Sequence, residues 1–446
     1  MRINVKSPKP KPYTHEGGPA SRISAEQTLR RSVMACLLWE DTFYESGVSI
    51  AQRIADLVPR VAPDKVASIA IEAREKMKLR HVPLLLVNEM TKSADHRKHI
   101  AAVLRRVIRR ADEPGELIAM YWSDGGRRPL PAQVKKGLAD VFSRFDAYQL
   151  AKYDRPAEVS LRDVMFLVHP KPVDEVQAEA FAKLAERELA PPDTWEVALS
   201  DGGWSKTRQD KRYRWERLLA EDRLGALALL RNLRNMSQAG VDKRLIREAL
   251  SKAKVGKVLP MRFIAAAKHA SRFEPELEKL MLQRASEMPR MPGSTVILVD
   301  VSYSMVGAKV SKRSEMDRLE AACALAMIAR ERCEDIAVYT FSNDAVAVRP
   351  RRGFALRDEI RKQDYGGTNL GKAVSYVNRH ETYDRLIVIT DEQTSGRVCQ
   401  PDGRGYILNV ATYQNGVGYG KRWVHVDGWS ESVLDYIHEI EQARLI

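Results

Sequence analysis

The residues best equipped for chemistry lie in Ser294-Thr-Val-Ile-Leu-Val-Asp300-Val-Ser302-Tyr-Ser304-Met305, an apolar run that ends in an aspartate and two serines at alternate positions. One carboxylate and two hydroxyls are hard oxygen donors. Such a set suits Mg²⁺, which keeps several waters and takes few protein carboxylates. Two further oxygen donors follow in order. Thr368 sits in Gly366-Gly-Thr-Asn-Leu370, and Asp391 closes Leu386-Ile-Val-Ile-Thr-Asp391. No histidine or carboxylate pair stands beside them to activate water, so the set is equipped to hold a cation rather than to hydrolyse. The plainer reading is a metal-free turn whose serines cap the next helix.

Elements must bring these oxygens together. Both aspartates close β-branched, aliphatic runs, the pattern of strands buried on both faces of a parallel sheet. Ligands of open α/β sheets bind at the carboxyl ends of such strands. From residue 293 the pattern reads β 294–300, α 317–332, β 336–342, α 354–363, α 369–379, β 385–390, β 406–411, β 423–427 and α 431–443. That alternation predicts a doubly wound α/β domain.

The ordered set resembles the metal-ion-dependent adhesion site of von Willebrand factor A domains. The resemblance implies that Asp300, Ser302, Ser304, Thr368 and Asp391 hold a divalent cation, most simply Mg²⁺, directly or through water. One position departs from the family. The residue between the serines is often glycine there and is Tyr303 here, and a bulky side chain disfavours positive φ.

At 446 residues the chain exceeds what one core supports. No apolar run is long enough to cross a bilayer, and the N-terminus lacks the apolar segment of a secretory signal. A cytoplasmic protein with no membrane partner is expected. Cys36, Cys323, Cys333 and Cys399 show no C-x-x-C spacing, which argues against zinc or thiol chemistry. The formal net charge of +14 favours a polyanionic partner, with nucleic acid ahead of membrane.

Before residue 293 strand patterns are almost absent. Residues 1–22 read as an extended basic arm, and residues 23–272 as short amphipathic helices in series, an α-solenoid. Residues 273–292 read as a linker and 293–446 as the α/β domain. Positive charge gathers in three places. The first is the ridge Arg105, Arg106, Arg109 and Arg110, on a helix predicted over 94–110 with no interleaved acid. The second is 206–217, where Lys206, Arg208, Lys211, Arg212, Arg214 and Arg217 alternate with Trp204, Tyr213 and Trp215, as single-strand binders combine cations with stacking rings. The third is the helical turn of Arg231, Asn232, Arg234 and Asn235. A solvated helix face, or aromatics in a core, is the competing reading of each. His169, ahead of Pro170, reads most simply as a helix C-terminal residue.

A helical half followed by an A domain resembles the TROVE-domain proteins, the Ro autoantigen family and its bacterial relatives. The matching signatures, in order, are Glu16-Gly-Gly18, Thr194-Trp-Glu-Val-Ala-Leu-Ser200, Leu229-Leu-Arg-Asn-Leu-Arg-Asn-Met236, Leu259-Pro-Met-Arg-Phe-Ile264 and Asp300-Val-Ser-Tyr-Ser-Met305. The resemblance implies helical repeats closed into a ring and a small structured RNA of the Y type on the outer surface. It also implies single-stranded ends of misfolded RNA in the central hole. Lys152-Tyr153 and His169-x-Lys171-Pro172 match the Y-RNA contact segment, and Arg155 a second basic contact.

The expected protein is therefore a non-catalytic, monomeric RNA binder acting in RNA quality control or as adaptor to an exoribonuclease or other RNA-processing protein. Two other functions fit parts of the chain. One is a metal-dependent protein-interaction adaptor whose helical half is scaffold. The other is a metal-dependent ribonuclease, for which only Asp300 and Asp391 converge.

Overall fold

The computed structural model of the protein describes residues 12–35, 47–77, 79–123, 125–191, 195–200, 207–256, 258, 260–309, 316–363, 365–411, 415–420, 422–427 and 432–443. It divides into two compact units. One comprises Met1–Ala51, Val258–Ala265 and Leu277–Ile446, the other Gln52–Lys257 and Ala266–Glu276.

The first unit is built on a sheet of β1 (Met291–Asp300), β2 (Cys333–Phe341), β3 (Ala345–Ala347), β4 (Arg385–Thr390), β5 (Arg404–Asn409) and β6 (Trp423–Asp427). Their order is β3-β2-β1-β4-β5-β6. Every neighbouring pair is parallel except β2–β3. β3 is absent from the sequence reading, because three residues are too few to show a period. Alternate residues of the central strands point to opposite faces. Val296, Leu298, Leu386, Val388 and Ile407 meet Leu370, Val374 and Val377 of the helix Leu370–His380 in one apolar cluster. The helix Arg318–Arg332 packs on β1 and β2 and is buried nearly all round. The expected doubly wound domain is observed, and chain order reverses between β1 and β4.

Two segments differ from expectation. Residues 12–22 are a folded bracket in the sheet unit, not an extended arm. Tyr13 bridges Pro19, and Ser21 N–H donates to Gly416 O at 2.9 Å. The expected linker contains the helix Glu274–Ser286, whose Leu277, Leu280 and Met281 are buried. Its Glu278 accepts from Phe354 N–H at 2.7 Å. Sequence periodicity shows that a segment is amphipathic, not which partner buries it.

The second unit contains helices and no strand among its described residues. Pro63–Glu75 packs on Val82–Thr91 and Ile100–Val107, and Ile100–Val107 packs on Ala132–Phe142. Gly137 makes the last contact possible: a Cβ there would lie 2.9 Å from Ala101 Cα. The helix predicted over 94–110 is two, Ala94–Arg97 and Ile100–Val107. Arg109 and Arg110 thus leave the helix, and their N–H groups donate to Glu113 Oε2 at 2.7 and 3.1 Å.

Candidate metal centre and nucleic-acid interface

Asp300 ends β1, and Asp391 follows β4, the neighbouring strand across the point where strand order reverses. Such crevices are the ligand sites of open α/β sheets. Three loops meet there through backbone bonds. Tyr303 N–H donates to Gly366 O at 3.1 Å, and Ser395 N–H to Thr368 O at 3.0 Å. Asp300 Oδ1 accepts from Ser302 N–H at 2.9 Å, and Oδ2 from the Thr390 hydroxyl at 2.5 Å. Ser302 Oγ and Ser304 Oγ lie 3.2 Å apart. Asp300, Ser302, Thr368 and Asp391 are buried.

Tyr303 needs no left-handed backbone: it opens a short 3₁₀ turn, Tyr303–Met305, and has no positive φ. Its side chain is 70% exposed, leaning out of the loop. Glycine is therefore not required between the two serines.

Burial, and then the neighbouring charge of Asp391, push the Asp300 carboxyl up to about 7 from its ordinary 3.8; the Ser302 and Thr390 bonds oppose this. Positive charge is nevertheless supplied. Arg318, buried, donates through Nη1 to Asp391 Oδ2 at 3.3 Å and to Ser304 O at 3.2 Å. Sequence reasoning missed both Thr390 and Arg318. Thr390 stood visible as the residue before Asp391, whereas nothing local marked Arg318.

The donor set fits a hard divalent cation. Asp300, Ser302, Ser304 and Asp391 are linked by short contacts and Arg318, with Thr368 on the adjoining loop; each carboxylate oxygen retains acceptor capacity, and Asp300 is disfavoured as a bare anion. Among the described residues no group of three or more His, Cys, Asp or Glu is arranged to hold a metal ion. Cys323 and Cys333 are buried free thiols, and burial raises Cys323 to about 12. Cys36 lies outside the described residues.

The basic ridge fares differently from its expectation. Acids on neighbouring segments use up what none on the same helix could. Arg105 pairs with Asp140 at 2.7 Å, Arg106 and Arg109 share Glu75, and Arg110 pairs with Asp112 at 2.6 Å. In the second zone Lys206 and Trp204 lie outside the described residues, and Arg208 opens the helix Arg208–Ala220. Arg212 pairs with Glu216 and Arg217 with Glu221. Trp215 is buried and stacks on Trp195 at 6.1 Å, a core role; Tyr213 is exposed. In the third zone Asn232 is buried, donating to Ala228 O at 2.9 Å and accepting from Asn235. Arg231 and Arg234 point outward.

The segment singled out by resemblance behaves otherwise. Lys152 lies in the last turn of the helix Ala147–Tyr153, and His169 caps the helix Leu161–Val168 in a left-handed conformation at φ 49°, ψ 60°. His169, Lys171 and Arg155 are exposed, and Lys152 is half-buried. None of these four makes an ion pair with another described residue. Cations here lie over rings: Arg110 over Tyr153 at 4.7 Å, Lys152 over Tyr148 at 5.6 Å and Arg162 over Phe166 at 4.9 Å. Tyr148 and Phe166 are half exposed. The helix Glu175–Glu186 touches both helices and so ties them into one surface.

Fold and site together define a helical chain joined to a von Willebrand factor A domain. Residues 185–336 match the family model of the TROVE domain, and residues 294–403 that of the Ro60 vWA domain. The fold is similar to that in the crystal structure of the Ro (RSR) protein of Deinococcus radiodurans. The TM-score is 0.62 at 17% identity, covering 92% of this chain and 98% of that one. These matches place TROVE-type sequence in residues 185–336 and Ro60-type A-domain sequence in residues 294–403, and the solved structure shares the fold. No helix among its described residues is long and apolar enough to cross a membrane.

Proposed function

We propose that the protein is a non-catalytic adaptor that binds a small structured, Y-type RNA on the surface carrying Lys152, Arg155, His169 and Lys171. It would act in RNA quality control or tether an RNA-processing protein such as an exoribonuclease. The observation that carries this reading is the contrast in how charge is used. The arginines at 105–110 are matched by local acids, whereas these four cationic or proton-binding side chains form no ion pair with a described residue, and Lys152 lies over the half-exposed ring of Tyr148. Uncommitted cations next to aromatic faces suit phosphate and splayed bases. Passage of single-stranded RNA ends through a ring of repeats would rest on the resemblance to the TROVE-domain proteins alone.

In the A domain, Asp300, Ser302 and Ser304, with Thr368 and Asp391, would hold a divalent cation, most simply Mg²⁺. Such an ion supplies a Lewis-acidic position for a water or a partner's carboxylate. Arg318 would steady Asp391, and exposed Tyr303 would form the rim a partner meets.

The test is fluorescence anisotropy with a small structured RNA at several salt concentrations. Lys152→Ala/His169→Ala should weaken binding about tenfold or more and flatten the salt dependence by roughly one phosphate contact. Arg105→Ala/Arg106→Ala should change affinity far less. Equal losses for both pairs would mean that bulk charge alone is at work. No binding at all would leave metal-dependent protein capture as the function.

A further inference from the structure

We infer that the open edge of β2 is a docking groove for an extended acidic peptide, which adds to the sheet as a strand. This goes beyond the RNA surface and does not depend on it.

β3 covers only the end of β2, pairing Ala345, Val346 and Ala347 with Phe341, Thr340 and Tyr339. The last bond on that side runs from Val348 N–H to Val338 O at 2.8 Å. The chain then leaves at Pro350 and enters the helix Gly353–Arg361. Strand groups alternate in direction, so the N–H and C=O of Ile336, two residues before Val338, face the same side. No described strand pairs with them there.

Beside this edge lies a groove of about 200 Å³ whose apolar walls include Ile336, Val348 and Leu356. That volume suits side chains rather than a drug-sized ligand. Arg330, Arg349 and Arg351 also line it. None of the three forms an ion pair with a described residue, although the charges of Arg349 and Arg351 reach Glu359. An unpaired edge offers backbone bonds, alternating apolar side chains fill the groove, and carboxylates meet the arginines. These are the components of strand-addition recognition.

RNA fits less well. The one aromatic in the lining, Tyr339, is buried, so bases have no face to stack on. Exposed Glu334 and Asp335 at the start of β2 also repel phosphates. An acidic peptide can place its charges at the arginine end alone.

The experiment titrates the full-length protein into a fluorescein-labelled peptide with valine at alternate positions and aspartates confined to the end that meets the arginines. Comparison probes are the same peptide with lysine for aspartate, a backbone N-methylated version, and a single-stranded oligouridine. The acidic peptide should bind, and N-methylation or Arg349→Glu/Arg351→Glu should weaken it about tenfold. Circular dichroism of the variant should match the parent, since both side chains are exposed. Equal binding of the lysine peptide, no effect of N-methylation, displacement by oligouridine, or no binding would each overturn the proposal. So would self-association of the protein that the same substitutions abolish, because the occupant would then be a second copy.

Discussion

A buried guanidinium shares the candidate cation centre with two aspartates, and its charge sets what the centre can hold. Arg318 partly neutralises Asp391, so it both stabilises the cation-free fold and repels an incoming cation. Arg318→Met should lower the cation-free Tm, since breaking a buried pair costs about 3–5 kcal/mol. Mg²⁺ should then raise Tm more in the variant than in the parent; a smaller Mg²⁺ response would show that Arg318 supports the ion instead. The elevated Asp300 gives a pH signature. Folded protein holds that proton more tightly than the unfolded chain, so Asp300 alone favours folding fully below about pH 4. That contribution is lost as pH rises through about 7. A cation needs the carboxylate, so the Mg²⁺-induced rise in Tm should grow from pH 6 to pH 8. Differential scanning fluorimetry at matched ionic strength reads both effects, and a pH-independent response would exclude Asp300 as the titrating ligand. The donors were legible because strand ends and loop hydroxyls follow chain order. Arg318 was not, because its partner lies 73 residues away.

At the scale of elements, the N-terminal bracket holds the loop that carries Asp391. Thr14 donates to Thr394 O at 2.8 Å, and His15 N–H to Gln393 Oε1 at 2.6 Å. Arg31 of the helix Ala25–Ala35 reaches Glu392 at 2.5 Å, with both side chains buried. Glu392 has a φ of 61°, a strained value for a non-glycine residue, and His425 contacts its other oxygen at 2.5 Å. The Glu16-Gly-Gly18 signature is explained here. Gly17 turns at φ +81°, and a Cβ on Gly18 would lie 2.2 Å from Thr394 O. Arg31→Met should therefore cost about 3–5 kcal/mol in denaturant unfolding. Arg105→Ala, which breaks a half-exposed pair, should cost under about 1 kcal/mol. Equal costs would mean that the helix Ala25–Ala35 is not a structural part of the A domain. The capping box Ser24-Ala-Glu-Gln27 was readable locally, with Ser24 N–H to Gln27 Oε1 at 2.8 Å and Gln27 N–H to Ser24 Oγ at 3.1 Å. The destination of the helix it opens was not.

Across the whole molecule, a net charge of +14 says that polyanions are attracted, not where. Arg106 looked free in sequence because its own helix holds no acid, yet Glu75 of another helix meets it. In sequence Trp215 could stack on a base or lie in a core; it is buried, and Trp195 takes its face. Lys152, Arg155 and Lys171 were marked only by resemblance and His169 also by its place ahead of Pro170, and the fold leaves all four without an ion pair among the described residues. By itself the sequence determined the α/β domain, its strand ends and the oxygen donors of the candidate centre. Those features rest on local periodicity and on residues that close their own strands. Tertiary structure alone decided which charges are spent, which aromatics are core, and where the N-terminal bracket docks. These outcomes depend on partners distant in the chain, whose pairing no local pattern encodes.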